Sequence, residues 1–446
     1  MFIALSPKSI IEYLFMDKLL FFVCFIGILV RIYLSSSDFG SSIADRVEVS
    51  TPLNSWKRVI EGVSLYNENI NPYEGDLFHE TPLALVFFSY LTSILSDFYV
   101  TLVFIGCDIL TAFVLYSTSK IYTKNLIIQQ TKTKNIYNKE FNKLLIPDDF
   151  SVINPVYVCS VYMLNPYTVF SCIARTTTVF NNLFLALCLY AMVKRQRLLG
   201  CLSLVLASLP TFYTFGLVAP LMISCASTDS KKKTGSFLIT FLTCVAISCT
   251  FLYICYTIMN EWTFLDSVYG FILNVRDLKP NIGLFWYFFT EMFEHFRALF
   301  VCAFQLNASI LYVVPLSIRL RHDPLLLATS LLALTAVFKS YPSIGDVGFY
   351  LSLLPIHRHL FYFMQQAFIV SCFFVGCTVF APTVWHLWIY SRSANANFYF
   401  GVTLAFATTQ IFLITDLLFA YIKREFALKH GMKRMINGKE ARLMLD

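Results

Sequence analysis

Apolar residues run in long blocks along this chain, separated by short polar or basic stretches. Among the clearest are Leu19 to Leu34, Pro82 to Leu95, Val100 to Tyr116, Val156 to Ile173, Phe237 to Ile258, Leu299 to Ile318, Pro324 to Phe338, Phe361 to Trp385 and Phe398 to Tyr421. A helix needs roughly 17 to 25 apolar residues to cross the hydrocarbon of a bilayer, and only helices or closed barrels satisfy their backbone there. The pattern predicts an all-α polytopic membrane protein with about ten to twelve transmembrane helices, built as one integral membrane domain over residues 1–446. Several blocks are short or interrupted by Pro, so some spans must be tilted, broken or re-entrant. The first block follows Lys18 without a small-residue cleavage pattern and reads as a retained anchor.

Composition agrees. The chain of 446 residues is 57% hydrophobic and 14% charged, with mean hydropathy +0.65. The net charge of +7 does not indicate nucleic-acid binding, because the basic residues sit at span ends, where they set topology. Lys194, Arg195 and Arg197, Lys231 to Lys233, Arg319 and Arg321, and the basic tail 423–446 are expected on the cytosolic side. Residues 35–81 carry eight acidic residues against three basic ones and are expected as a luminal loop. Residues 120–150 are expected as a basic loop, either solvated or lying as an amphipathic helix on the cytosolic leaflet; Lys120 to Lys143 contains six lysines and one Glu. The thirteen cysteines all lie in or beside apolar runs and read as small hydrophobes, with no CxxC pair, metal site or cofactor motif.

Polar residues within apolar territory are costly and mark sites or partners. Four places qualify. In PNIGLFWYFFTEMFEHF, residues 280–296, a continuous helix would put Glu291, Glu294 and His295 on one side, as an interhelical contact, a helix end at the headgroups beside Arg297, or a ligand group. In FKSYPSIGDVGFY, residues 338–350, Pro342 and Gly345 break the apolar pattern between Lys339 and Asp346, which makes this either a cavity-lining break or a turn with Asp346 as helix N-cap. In WHLWIYSRSANANFYF, residues 385–400, Ser393, Asn395 and Asn397 offer uncharged hydrogen-bonding groups beside aromatics, suited to a glycan or phosphorylated head group or to a plain loop. In residues 54–83, which include His79 and Glu80, the pattern reads as two short amphipathic helices, a turn at Asn71-Pro72, and Pro82 opening the next span.

The EG, NPY and TPL elements of that last segment resemble the first luminal loop of lipid-phosphate-dependent mannosyltransferases of GPI assembly, which have a glycosyltransferase type C fold. In them acidic residues precede the EG; here that region reads Asp45-Arg46-Val47-Glu48, with an arginine that supplies neither metal ligand nor base. An active transferase using Glu48 or Asp45 is the alternative reading. The fuller resemblance is to the PIG-U family of GPI transamidase subunits, carried in order by SWKRVIEG, PYEGDLFHETPL, LNPYTVFSC, VYGFILNVRDLKPNIGLFWYFFTEMFEHF, FKSYPSIGDV and PTVWHLWIYSRSANANF. It implies a non-catalytic, type C-like helical scaffold in the endoplasmic reticulum membrane. Its partners would be a Cys-protease subunit (PIG-K), PIG-T, PIG-S, a second multispan subunit and the GPI lipid, with Asn395 and Asn397 holding the glycan. No residue is expected to carry transamidase chemistry, and a transporter is disfavoured because only one convincing helix break, at Pro342 to Gly345, is legible.

Overall fold

The computed structural model describes residues 7–134, 144–147, 152–226, 230–431, 435–436 and 439–440. Regular structure among them is helical apart from one two-residue antiparallel pairing near the C-terminus. The helices run α1 Pro7–Ser35, α2 Asp38–Ala44, α3 Trp56–Asn67, α4 Pro82–Ile94, α5 Asp97–Thr133, α6 Pro155–Leu164, α7 Pro166–Ile173, α8 Thr178–Lys194, α9 Arg197–Ser208 and α10 Val218–Ser224. They continue as α11 Ser230–Met259, α12 Thr263–Leu265, α13 Phe271–Asn274, α14 Phe285–Glu291, α15 Glu294–Ser309, α16 Val313–Arg319, α17 Pro324–Phe338, α18 Ile344–Leu353, α19 Ala367–Ile389 and α20 Ala396–His430.

By length and composition, six helical stretches among the described residues suffice to cross a membrane, α15 and α16 serving together, and the bent pair α6–α7 makes a seventh. Five further apolar helices have only 10–17 residues, short of a full crossing unless the bilayer thins or they are broken or re-entrant. The expected apolar segments are therefore present as helices, and the count of full crossings depends on these short ones. Three of the long stretches, Lys232–Met259, Glu294–Arg319 and Ala367–Ile389, have only 11% of their apolar window buried, so their side chains are available to lipid or to another subunit.

The chain divides into two compact units. The larger comprises residues 21–115 and 159–352. Its core is aromatic: Trp56 meets Phe88 and Phe104 edge-on at 5.4 and 5.3 Å, and Phe180 closes the same cluster. The smaller unit comprises residues 1–20, 116–158 and 353–446. In it α19 packs along α20, and a 3₁₀ segment, Leu354–Phe363, leads into α19. Asp416 of α20 closes that junction by accepting the backbone N–H groups of Gln365 at 3.0 Å and Gln366 at 2.8 Å, at the positive end of α19.

Several expectations need correction. Residues 54–83 hold one helix, α3; beyond it Asn71 Oδ1 accepts the Tyr73 N–H at 3.0 Å, giving the expected turn, and residues 69–81 stay irregular up to Pro82 at the start of α4. The run Val156 to Ile173 is a second helix break: α6 and α7 meet at 51°. Asn165 caps α7 by accepting the Tyr167 N–H, and Pro166 has no N–H to continue the α6 ladder. Residues 120–133 form the last part of α5, so Lys120, Lys124 and Lys132 stand on a continuing helix. The remainder of the basic stretch, 135–143, lies outside the described residues, as do Lys433 and Arg434 of the tail, while Lys423, Arg424 and Lys429 belong to α20.

Asp416→Leu removes the charged acceptor for two backbone amides and is expected to destabilise the α19–α20 hairpin by about 1–3 kcal/mol. Thermal melting in mild detergent checks this; an unchanged melting temperature contradicts the assigned cap.

Candidate functional site

In the larger unit, two of the segments singled out in the sequence, 54–83 and 338–350, meet in one polar region. The turn between α17 and α18 is its hub. Asp346 is the third residue of α18 rather than its N-cap; its Oδ2 reaches back to accept the N–H and Oγ–H of Ser343, both at 2.9 Å, and pairs with Lys339 Nζ at 2.6 Å. This is the reciprocal half of a capping box, which fixes the helix start and neutralises a largely buried lysine together. The Ile344 N–H donates to Glu48 O at 3.0 Å, joining the turn to residues 45–54. Gly345 allows the contact with α7, because a Cβ there would stand 2.5 Å from Ser171 Oγ.

His79 and Glu80, both buried, lie beneath this region. His79 Nδ1 donates to Ser267 O at 2.8 Å, which assigns the proton to Nδ1 and leaves Nε2 as an acceptor without a partner among the described residues. Its ring stacks on Phe271 at 3.6 Å, and Phe271 stacks on Tyr341 at 5.1 Å. Burial, with Arg58 nearby, pulls the imidazole down to about 4, so it is neutral at pH 7. Burial pushes the Glu80 carboxyl up to about 7, with Thr177 acting in the opposite sense, and its Oε1 also lacks a partner. Ser267 O is presented by a π-helical turn, Asp266–Gly270, an irregularity that often accompanies function.

Around them, Arg58 pairs with Asp277 at 3.1 Å and donates to Leu77 O at 3.3 Å, while Tyr341 OH accepts the Asp277 N–H. Gln305, a buried amide in the apolar α15, bonds Tyr213 OH at 2.6 Å, Ile272 O at 2.8 Å and Ser340 Oγ at 3.1 Å. Sequence reasoning passed over Gln305; its signal was an amide inside FVCAFQLNA. It also passed over Arg31 and Asp108, charges inside apolar runs that form a buried ion pair at 2.8 Å.

Glu291, Glu294 and His295 do not share a helical face. The helix stops at Glu291, Met292 and Phe293 are extended, and α15 restarts at Glu294, leaving all three side chains exposed. Just beyond this motif Arg297 reaches back to donate to Val275 O at 3.0 Å. Val275 is a buried β-branched residue held at φ 48°, a conformation that its neighbours must enforce. The carboxylates of the transferase reading are committed to cations: Lys57 holds Asp45, and Arg46 contacts both Glu48 oxygens at 3.3 and 3.4 Å. Among the described residues no three His, Cys, Asp or Glu side chains gather into a metal-binding group.

In the smaller unit, the turn between α19 and α20 carries Ser393, Asn395 and Asn397, all exposed. The Ser393 N–H donates to Leu387 O at 2.9 Å, and Asn395 is the N-cap of α20, its Oδ1 accepting the Asn397 N–H at 3.1 Å. Beneath them, buried Tyr399 packs against Trp385 at 5.1 Å and Trp388 at 6.1 Å. A hydrogen-bonded turn of amides and a hydroxyl therefore stands on an aromatic base, a surface suited to polyhydroxylated or phosphorylated ligands.

These features define a polytopic helical membrane protein whose polar groups collect where its helices break. The chain belongs to the PIG-U family: the profile described as GPI transamidase subunit PIG-U matches residues 25–406. It is 39% identical to the GPI-anchor transamidase component PIGU of Cricetulus griseus and 38% identical to that of Homo sapiens, each over 434 residues covering 95% of this chain and 98% of the relative. It is 28% identical over 382 residues to the GPI transamidase component GAB1 of Saccharomyces cerevisiae, covering 85% of this chain and 88% of that protein.

The two buried groups impose opposite pH dependences. Glu80 has a folded pKa near 7 against an ordinary 4.5, so its stabilising contribution is complete below about 4.5 and is lost as pH rises through 7. His79 has a folded pKa near 4 against 6.5, so its contribution is complete above about 6.5 and is lost as pH falls through 4. Glu80→Gln is expected to flatten the fall in melting temperature between pH 5 and 7.5, and His79→Phe the fall on the acid side. Melting curves that keep the wild-type slopes would refute these assignments.

Proposed function

We propose that this chain is a non-catalytic subunit of GPI transamidase in the endoplasmic reticulum membrane, holding the GPI lipid-glycan and scaffolding the complex. The observation that carries this reading is the capped turn Ser393 to Asn397 on its Trp385, Trp388 and Tyr399 base, within a chain belonging to the PIG-U family. Exposed amides at a helix start and flanking Trp residues suit a sugar-phosphate ligand held at the membrane surface.

Catalysis then resides in a partner. A thiol nucleophile needs an accessible, electropositive setting with a base beside it. Here the exposed cysteines, Cys249, Cys302 and Cys372, sit on long apolar helices. The expected partners are a Cys-protease subunit (PIG-K), PIG-T, PIG-S and a second multispan subunit. The sparsely covered apolar faces of α11, α15 and α19 offer area for such contacts. Arg46 and Lys57 occupy the carboxylates that a transferase of type C fold would use, which favours the non-catalytic reading.

The tagged chain is expected to co-purify with the Cys-protease subunit in near-equal amounts. The variant Asn395→Leu/Asn397→Leu is expected to preserve that recovery while lowering a surface GPI-anchored reporter several-fold by flow cytometry. A normal reporter level in the double variant would remove these asparagines from the site, and recovery of the chain alone would remove the subunit assignment.

A further inference from the structure

Arg31 of α1 and Asp108 of α5 are 0% and 1% exposed inside apolar helices. Arg31 Nε donates to Asp108 Oδ2 at 2.9 Å, and Nη2 lies 2.8 Å from the same oxygen. Arg31 Nη1 donates to Met163 O at 2.7 Å and to Gly27 O at 3.2 Å, while Tyr162 OH donates to Asp108 Oδ1 at 2.8 Å. Met163 is the penultimate residue of α6, where the ladder ends at the Asn165-Pro166 break and the last carbonyls lose their helical partners. Arg31 takes one of these carbonyls, and Thr168 Oγ1 takes that of Tyr162 at 2.5 Å. Gly27 admits α1 to this point, since a Cβ there would stand 2.7 Å from the Met163 side chain.

The break leads directly to the polar region. Ser171 of α7 lies against Gly345, the Thr177 N–H donates to Asn54 O at 3.1 Å, and Asn54 Nδ2 donates to Thr178 Oγ1 at 2.9 Å. We propose that Arg31, Asp108 and Tyr162 form a polar pin that fixes the α6–α7 break and thereby positions residues 171–178 against the loop 45–54. Arg31 is a positioning residue: its guanidinium spans the break carbonyl and the carboxylate at once, which a lysine ammonium reproduces poorly. Either charge alone would be stranded in an apolar interior, so the members act as a unit.

The test is thiol cross-linking of the full-length chain in native membranes, with single-cysteine variants as controls for the native cysteines. The reporting pair is Phe39→Cys with Phe170→Cys, whose rings touch at 5.9 Å between α2 and α7. The reference pair is Tyr312→Cys with Phe338→Cys, at 5.8 Å between the N-cap of α16 and the end of α17, remote in sequence from the break. Arg31→Met and Asp108→Leu are each expected to cut the 39–170 yield several-fold while sparing the 312–338 yield, and combining them should lower it no further than the worse single change. An unchanged 39–170 yield, an equal fall in both pairs, or an additive loss overturns the proposal. Where the charge variants do not accumulate, Tyr162→Phe removes one hydroxyl and is expected to lower the 39–170 yield at least twofold; a wild-type yield there overturns the proposal equally.

Discussion

A helix interrupted in an apolar environment frees carbonyl and amide groups that water cannot reach, and each must find a partner within the protein. This requirement shapes three of the irregular places among the described residues. At Asn165-Pro166 the partners are a guanidinium, a threonine hydroxyl and an asparagine cap. At the turn after α17 they come from Asp346 and the Glu48 carbonyl, and at the start of α19 from Asp416. Polar side chains in this protein thus serve the backbone first, and the polar regions stand where that service is needed.

The same rule explains how much was legible beforehand. Helix existence could be read because long apolar runs have one workable form in a bilayer, and the start at Pro82 carried its own signal. The end of α14 was not readable. Nothing in Glu-Met-Phe-Glu stops a helix locally, so the break between Glu291 and Glu294 must come from tertiary packing around Phe285, Phe289 and Phe304, and a face argument built on continuous helix fails there. Arg31 and Asp108 were visible as charges in apolar runs, but their pairing joins positions 77 residues apart, which periodicity cannot reveal. His79 and Glu80 were visible as residues, whereas their burial, which sets their protonation, depends on Ser267 and Phe271 from a distant segment.

The two polar regions have different characters. The one in the larger unit is interior, with its charges paired and its aromatic rings stacked, and it resembles a fixed frame. The turn in the smaller unit is exposed, and its geometry is set by hydrogen bonds that leave the side chains at the surface. Within the proposed assembly, the former suits rigidity and the latter contact with a ligand.

The cap at the start of α20 has a further meaning. Asparagine and aspartate close a helix start about equally well, so capping alone does not choose between them. With Asn395 Oδ1 engaged by the Asn397 N–H, the amide retains an NH₂ group, a pure donor, at the exposed turn. A carboxylate would cap the same helix while presenting only acceptors and a negative charge. The choice of amide therefore leaves an uncharged donor at this corner of the protein, indifferent to pH, which helix stability by itself never required.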